Sequence, residues 1–290
     1  MAEKGNRESI IKLYRKAWLG GYAIGAFNFS TMDLVHGIHE TAIAMKAPVI
    51  IATSQGERNF FGCEESVAVY NVLKARHPPT ILHADHTKTL EELKKVVDAG
   101  YPSVHFDGSG LDYLTNLEQT RKAVEYAHAH DVFIEGELGG IPGGSSLHKE
   151  SIKSVAKEEY LTHPEQAKDF VNRTGVDSLA VNVGNAHGIW KDAPKLDFKR
   201  IQKIKELTGK FLVLHGGSGI RPIDFRRAIA HGITKININT EMRIAFEKAI
   251  EQGLAERTDD TPYKYLGHAH EAVAKVVRDK IVIFKSEKKA

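Results

Sequence analysis

The amino-acid sequence predicts an α/β fold, a single (β/α)8 TIM barrel with its active site at the C-terminal ends of the strands. Eight short β-rich runs alternate with helical patterns along the 290 residues, and this order is typical of a parallel sheet that closes into a barrel. A hydrophobic content of 42% is enough for one large core. Polar residues end most of the runs, and this fold collects its functional groups at that end.

The predicted strands cover residues 23–28, 48–53, 80–85, 103–107, 132–137, 178–182, 211–215 and 235–239. Ser30 and Thr89 begin the Ser/Thr-x-x-acid pattern of a helix N-terminus. Gly100 and Gly209 follow helical runs, where a left-handed C-cap is expected. Residues 139–159 lack a clear period, which predicts a long mobile loop with a short helix. No linker-like shift in composition occurs, so we expect residues 1–290 to form one domain.

Composition and charge exclude several classes of protein. A net charge of +3 from 40 basic and 37 acidic residues gives no field that would recruit nucleic acid or a membrane surface. The single cysteine, Cys63, excludes an internal disulfide framework. Residues 1–15 are polar, unlike a signal peptide, and no stretch approaches the ~20 apolar residues of a membrane span. We therefore expect a soluble, cytoplasmic protein.

Three histidines fall at or just after the C-terminal ends of predicted strands and indicate a metal site. His86 and His215 close the third and seventh strands, and His187 follows the sixth. A catalytic zinc ion takes three protein ligands and keeps one position open, which three imidazoles supply. Histidine also suits iron or cobalt, so the residue types favour a metal more strongly than they favour zinc.

Asp85 lies between two histidines, of which one is expected to bind the metal. Alternation along the strand places His83 on the same face as Asp85 but deeper in the barrel, so His86 is the predicted ligand. Asp85 is predicted to act as an acid or base on the substrate, and orienting a metal ligand is the alternative role.

A glycine-rich segment after the seventh predicted strand indicates a phosphate site. Residues 215–219 read HGGSG, and Asn237, Asn239 and Thr240 follow at the end of the eighth strand. Barrels of this class commonly hold phosphate on the loops after these two strands, where backbone N–H groups and a helix N-terminus face the anion. Lys191, four residues after His187, is a candidate for an additional positive charge, with a solvated surface lysine as the alternative.

Seven segments in this order resemble the class II, metal-dependent ketose-bisphosphate aldolases, and the resemblance covers nearly the whole chain. The segments are AFN at 26–28, HADH at 83–86, FDGS at 106–109, EGELG at 135–139, GNAHG at 184–188, LHGGSG at 214–219 and KININT at 235–240. The resemblance implies a zinc-dependent lyase that cleaves fructose 1,6-bisphosphate reversibly to dihydroxyacetone phosphate and glyceraldehyde 3-phosphate, with zinc stabilising the enediolate. Tagatose 1,6-bisphosphate, or a related phosphoketose, is the nearer alternative substrate.

The resemblance also implies a role for individual residues. His86, His187 and His215 would hold the catalytic zinc, Asp107 and Glu137 a second or displaced cation, and Asp85 would handle the proton of the aldol hydroxyl. The residues implied to contact the substrate or its phosphate, with a monovalent cation (Na⁺ or K⁺) nearby, are Asn28, Ser54, Gly188, Lys191, Gly216, Gly217, Ser218, Asn237, Asn239 and Thr240. A homodimer or homotetramer is implied as well, although Ala269, Val273, Val276 and Val277 of a predicted helix over 268–280 could equally face the barrel.

Two further functions stay open, and a departure from the family pattern supports one of them. Relatives carry an acidic pair in the loop after the EGELG segment, whereas this chain has Ser145 and Ser146, with Glu150 farther along. Tyr263 stands where relatives commonly place an arginine for the distal phosphate. A phosphosugar-binding protein without turnover is therefore one alternative. A Schiff-base aldolase that uses Lys235 is another, although Lys235 should lie well below Asn237.

Overall fold

The computed structural model describes residues 6–76 and 79–290. Within these residues eight parallel strands form a closed barrel in chain order, each hydrogen-bonded to the next and β8 to β1, so the predicted TIM barrel is confirmed. The strands are β1 Ile24–Asn28, β2 Val49–Thr53, β3 Thr80–Thr87, β4 Ser103–Phe106, β5 Phe133–Leu138, β6 Ser178–Val181, β7 Phe211–Leu214 and β8 Ile233–Ile238. Residues 1–5, part of the polar segment 1–15, lie outside the described residues.

Helices surround the barrel and connect successive strands. They are α1 Asn6–Gly20, α2 Met32–Met45, α3 Gln55–Phe61, α4 Cys63–Leu73, α5 Leu90–Ala99, α6 Tyr113–Ala129, α7 Pro164–Thr174, α8 Phe198–Thr208, α9 Pro222–His231, α10 Thr240–Glu256 and α11 Pro262–Ile283. The predicted loop over 139–159 contains short 3₁₀ turns at Ile152–Ser154 and Glu158–Tyr160, and Leu147 forms an isolated bridge with Ile189. In the part of the chain that the structure describes, no helix is long and apolar enough to cross a membrane.

The strands are buried on both faces, because helices cover the outside and side chains fill the inside of the barrel. Every residue of β2 is buried, as is every residue of β8. Outside the barrel, aliphatic side chains such as Val104, Ile134 and Leu179 belong to one large core cluster with the inner faces of the helices. The continuous apolar runs of the sequence therefore reflect burial on both sides.

The N-terminal end of the barrel is closed by α1. Tyr14 packs against Phe133 and Phe211 with ring centroids 4.8 and 5.4 Å apart. Below them, the buried carboxylate of Asp177 pairs with the Arg7 guanidinium at 2.6 Å and accepts the backbone N–H of Ile134 at 3.0 Å. The chain thus seals the end of the barrel opposite the predicted site.

Some element boundaries differ from the prediction. The N-cap of α2 is Thr31, whose hydroxyl accepts the Leu34 N–H, and not Ser30, because the helix begins one residue later than the pattern suggests. The predicted helix over 268–280 is longer in the structure and forms α11. Its residues Ala269, Val273 and Val277 are buried within the chain, so this stripe faces the barrel layer.

Candidate active site

A cavity of about 470 Å³ lies at the C-terminal ends of the strands. Five strands contribute to its lining. Asn28 ends β1, Asp85 and His86 lie near the end of β3, and Ser54, His215 and Asn239 directly follow β2, β7 and β8. Its lining includes most of the residues that the sequence predicts for substrate, phosphate and metal: Asn28, Ser54, Asp85, His86, His187, Gly188, His215, Gly216, Gly217, Ser218, Asn237, Asn239 and Thr240. Segments far apart in sequence therefore meet around one opening.

The three predicted zinc ligands lie side by side at this opening. The ring of His86 is 4.9 Å from that of His215 and 5.3 Å from that of His187, measured between centroids, and the remaining pair is 6.2 Å apart. His86 has a positive φ of 52°, an uncommon conformation for a residue with a side chain, of the kind that clusters at functional sites. This strained backbone turns the imidazole at the end of β3 toward the other two rings.

Carboxylates hold two of these imidazoles by one ring nitrogen each. Asp107 Oδ2 lies 2.8 Å from His86 Nδ1, and Glu135 Oε1 lies 2.7 Å from His215 Nε2. A carboxylate on one nitrogen fixes the ring orientation and the tautomer, which leaves the other nitrogen for a metal ion. The opposite nitrogens, His86 Nε2 and His215 Nδ1, both lie 4.0 Å from Asp85 Oδ1, so they converge on the same volume.

A fourth imidazole, His105, lies beneath the cluster and was missed by the sequence analysis. It is fully buried on β4, with Nε2 3.3 Å from Glu137 Oε2 and Nδ1 3.9 Å from Asp85 Oδ1. Two compact sets of potential metal ligands result, each with its ligand atoms within 4.8 Å of one another: Asp85, His86, His105 and His215 in the first, and His86, Asp107 and Glu137 in the second. His187 lies beside these sets and belongs to neither.

Asp85 is buried and held from three directions. Its carboxylate accepts the side-chain amides of Asn28 and Asn237 at 3.1 Å each, and its backbone carbonyl accepts the buried guanidinium of Arg58 at 3.0 Å. Burial alone would raise the pKa of Asp85, but the neighbouring His86 charge and the contact with His105 hold it well below its usual range. Asp85 is therefore a carboxylate at neutral pH, ready to accept a proton.

The histidines of the site differ in protonation because their partners differ. Burial, together with the neighbouring His86 charge, lowers the pKa of His187 to about 4. Burial also lowers the pKa of His215, although its bond to Glu135 opposes the effect. His105 shows the reverse: burial is outweighed by its contacts with Asp85 and Glu137, which raise its pKa to about 10. His187 and His215 are thus neutral, as metal ligands must be.

Deeper in the barrel, Lys235 joins this site to a buried ionic network. Its ammonium donates to Glu135 Oε2 at 2.7 Å and lies 3.0 Å from His83 Nε2, and all three side chains are fully buried. The other nitrogen of His83 lies 2.8 Å from Ser103 Oγ. Both ring nitrogens of His83 therefore have protein partners, as expected for the histidine that was not predicted to bind metal.

The glycine-rich segment after β7 forms a tight turn beside β8. Gly216 has a φ of 61°, and a side chain there would meet the Ala186 carbonyl at 2.3 Å. Gly219 donates its N–H to Glu241 Oε1 at 2.9 Å, and Lys280 of α11 holds the same carboxylate at 2.7 Å. The turn therefore lies between β8 and the C-terminal helices in a fixed shape, as a phosphate-binding loop requires.

Comparison with known proteins identifies the family of this chain. Residues 8–289 match the family model described as fructose-bisphosphate aldolase class-II. The chain belongs to the class II fructose-bisphosphate aldolase family. It is a class II ketose-bisphosphate aldolase, a lyase that acts on a carbon–carbon bond.

Several relatives resemble this aldolase over nearly its whole length. A fructose-bisphosphate aldolase of Thermus caldophilus is 36% identical over 300 residues, which covers 95% of this chain and 97% of that one. The crystal structure of the YdjI aldolase of Escherichia coli K12 superposes with a TM-score of 0.84 at 29% identity over 100% and 99% of the two chains. A fructose-bisphosphate aldolase structure from Campylobacter jejuni, at 23% identity and a TM-score of 0.79 over 100% and 97% of the chains, shows the shared fold.

Two residues that the sequence analysis considered for the site do not line the cavity. Lys191 is exposed, does not line the cavity and uses its backbone N–H on the Glu150 carbonyl. Glu150, considered as a replacement for the missing acidic pair, is also exposed and does not line the cavity. Ser145 does line it, and its carbonyl accepts the guanidinium of Arg243 at 2.8 Å.

Glu57 is a further site residue that the sequence analysis missed. Its carboxylate lines the cavity and accepts the side-chain amides of Asn28 at 2.9 Å and Asn239 at 3.1 Å. The available signal was the spacing from Ser54 to Glu57, which is that of a capping box. That signal predicts the start of α3 but does not predict that the Glu57 side chain also lines the cavity.

Proposed function

We propose that this aldolase cleaves fructose 1,6-bisphosphate reversibly to dihydroxyacetone phosphate and glyceraldehyde 3-phosphate. The observation that carries the proposal is the convergence of His86 Nε2 and His215 Nδ1 on the volume beside the Asp85 carboxylate, at the mouth of a cavity that the 216–219 turn also lines. A metal-ligand set, a base and an anion-binding turn are the groups that cleavage of a phosphorylated ketose requires.

The residues present fit a zinc ion. His86, His187 and His215 would hold it, with the carboxylates of Asp107 and Glu135 orienting two of the rings. When bound, zinc supplies a positive charge that stabilises the negative charge developing on the substrate as the C3–C4 bond breaks. The ligand atoms of His86, Asp107 and Glu137 lie within 4.8 Å of one another, which supports the assignment of Asp107 and Glu137, with His86, to a second or displaced cation. A monovalent cation beside the phosphate is part of the same proposal.

Asp85 performs the proton transfer at oxygen. It accepts the proton of the C4 hydroxyl during cleavage and returns it during condensation. The amides of Asn28 and Asn237 each donate to one of its oxygens, so the carboxylate is oriented before substrate arrives. Because Asn28, Asn237 and Ser54 line the same cavity, they are proposed to contact the substrate as well.

The phosphate of dihydroxyacetone phosphate is proposed to lie on the turn after β7 and the start of α10. The residues assigned to it are Gly188, Gly216, Gly217, Ser218, Asn239 and Thr240, with Lys191 joining after a movement of its loop. Fixing the unreactive end of the substrate lowers the entropic part of the barrier at the reacting carbons. The partner molecule is thus a phosphorylated ketose, and a homodimer or homotetramer stays a prediction.

Two of the alternatives receive less support from the geometry. A Schiff base requires an uncharged lysine at the cavity, whereas Lys235 is fully buried, does not line the cavity and pairs with Glu135 at 2.7 Å. A binding protein without turnover has no need of the oriented Asp85 carboxylate beside the histidines. Tagatose 1,6-bisphosphate uses the same groups and differs only in the C4 configuration, so it stays the nearer alternative.

A side-by-side assay tests the proposal. Purified protein with measured zinc content is given fructose and tagatose 1,6-bisphosphates at equal concentrations, and triose phosphate release is followed by coupled oxidation of NADH. The expected result is a larger kcat/KM for fructose 1,6-bisphosphate. A larger value for the tagatose ester would assign the enzyme to the other epimer, and no release from either would contradict the proposal.

A further inference from the structure

Cleavage of a ketose between C3 and C4 requires two proton transfers, and Asp85 accounts for one. The proton of the C4 hydroxyl leaves an oxygen, whereas C3 of the departing dihydroxyacetone phosphate must gain a proton on carbon. After the first transfer Asp85 is a carboxylic acid, but the amides of Asn28 and Asn237 hold it in one position, so it would have to move from the C4 oxygen to reach C3. A second acid or base at the cavity serves C3 without that movement.

The carboxylates at the cavity provide one candidate for this second transfer. Among the described residues, Asp85 and Glu57 are the acidic side chains that line the main cavity, while Asp107 and Glu137 line the adjoining one and contact His86 and His105. We propose that Glu57 is the catalytic residue that gives the proton to C3 in cleavage and removes it in condensation. This inference rests on the proposed function.

The position of Glu57 suits this role. Asn28 Nδ2 donates both to Glu57 Oε2, at 2.9 Å, and to Asp85 Oδ2, at 3.1 Å, so a single amide nitrogen separates the two carboxylates. On its other side, Glu57 Oε1 accepts the Asn239 amide at 3.1 Å, next to the proposed phosphate site. Glu57 thus lies between the base for the C4 hydroxyl and the phosphate end, where the carbons of dihydroxyacetone phosphate must bind.

A structural role at the start of α3 explains only part of this arrangement. Glu57 Oε2 accepts the Ser54 N–H at 2.6 Å, which is the capping-box contact. The amides of Asn28 and Asn239 come from the ends of β1 and β8 and contribute nothing to that cap. An ionised carboxylate has about four acceptor positions, and three donors use three of them. One acceptor position is left for a proton of the substrate.

The proposed step balances in both directions. In cleavage the C3–C4 bond breaks and its electron pair stays with C3, delocalised toward the C2 oxygen, while Asp85 receives the C4 hydroxyl proton. Glu57, as the carboxylic acid, then transfers its proton to C3 and becomes a carboxylate. Exchange with water returns both residues to their starting states. In condensation Glu57 removes the same proton from dihydroxyacetone phosphate alone, before any aldehyde binds.

Exchange of that carbon-bound proton with solvent tests the proposal directly. Zinc-loaded protein is incubated with dihydroxyacetone phosphate in heavy water, and proton NMR follows loss of the C3 signal. We expect Glu57→Gln to slow exchange by about 100-fold or more, because glutamine keeps the acceptor for the Ser54 N–H but cannot take a proton. Glu150→Gln, which alters an exposed carboxylate on the loop, is the matched control and should exchange at the wild-type rate.

Two further measurements separate catalysis from folding and binding. The dissociation constant of dihydroxyacetone phosphate for Glu57→Gln, measured by calorimetry, should stay within about threefold of the wild-type value. In Glu57→Ala, added formate should restore part of the exchange in a concentration-dependent way, since the small acid can occupy the space of the missing carboxylate. A residue that only caps α3 would show neither the rate loss in the glutamine variant nor the rescue.

Each outcome decides the proposal. Slow exchange with normal binding supports it, as does rescue by formate if the glutamine variant proves unstable. Exchange within threefold of wild type in Glu57→Gln, or a rate loss matched by an equal loss of binding, overturns it while leaving the proposed function intact. A wild-type protein that neither exchanges the proton nor cleaves the bisphosphate overturns the proposed function and this inference with it.

Discussion

The two ends of the barrel both contain buried carboxylates, but their surroundings differ. At the N-terminal end, Asp177 is paired with Arg7 and His128 and accepts the Ile134 N–H. At the C-terminal end, the Asp85 carboxylate lies within 4.0 Å of His86, His105 and His215, and it lines the open cavity. Carboxylates and imidazoles gathered in this way are potential metal ligands. The comparison teaches that one end holds the fold together while the other is prepared for ions and substrate.

The largest expected effect comes from Asp85→Asn at the C-terminal end. Asparagine has nearly the same shape but cannot accept the hydroxyl proton, so kcat should fall by about 10²- to 10⁴-fold. The free energy of unfolding should fall as well, because the lowered pKa of Asp85 means that its ionised form stabilises the folded state at neutral pH. Steady-state kinetics and urea unfolding measure the two quantities. A kcat within tenfold of wild type would show that another group removes the proton.

A loss of stability without a loss of activity is expected from Asp177→Asn at the N-terminal end. Loss of the ion pair with Arg7 should lower the free energy of unfolding by about 2 kcal/mol, while kcat and zinc content of the folded protein stay unchanged. Urea unfolding at neutral pH and kinetics on the folded fraction give the comparison. If kcat fell with stability, the two ends of the barrel would not be separate in function.

The stability difference between wild type and Asp177→Asn should depend on pH. Burial raises the pKa of Asp177, but His128, Arg7 and the Ile134 N–H outweigh it and lower the pKa below its usual range. Stabilisation by a carboxyl whose folded-state pKa is lowered is present above the unfolded value of about 4 and is lost as pH falls through the folded value. Unfolding curves from pH 7 to pH 3 should therefore converge at the acid end, and a constant difference would contradict the assignment.

The smallest effect is expected from Lys280→Met, which tests how far the helical layer supports the site. The Lys280 ammonium pairs with the Glu241 carboxylate, and that carboxylate accepts the Gly219 N–H in the glycine-rich turn after β7. Loss of the ammonium should loosen that turn and raise KM by about threefold with little change in kcat. Lys275→Met, an exposed position on the same helix, is the control. Equal KM values in the two variants would show that the turn needs no support from α11.

The sequence predicts the apolar strands and the residues at their ends because both follow short-range rules. The eight runs are recognisable from β-branched residues and turn signals, and His86, His215 and Asp85 stand out as polar residues where a barrel strand ends. The same rules do not identify His105, because it lies inside a strand, where a single histidine is typical of a buried core residue. Its role depends on the contact with Glu137, which lies 32 positions away and is visible only when β4 and β5 pair.

Residues in the connections that follow the strands were the least predictable for the same reason. Glu57 carries a helix-capping pattern, yet two of its contacts are set by the closure of β1 against β8. Lys191 lies close to His187 in sequence but is exposed and does not line the cavity. Local spacing fixes the helix start and the strand end, whereas the position of a loop side chain depends on packing between distant segments.

Removal and return of the metal test the central claim most directly. Protein stripped with a strong chelator, and shown by elemental analysis to contain no metal, is assayed for fructose 1,6-bisphosphate cleavage before and after one equivalent of zinc per chain is added. The account predicts that cleavage is abolished in the stripped protein and restored by zinc, because His86, His187 and His215 hold the ion that stabilises the developing charge. Full cleavage by the metal-free protein would contradict it.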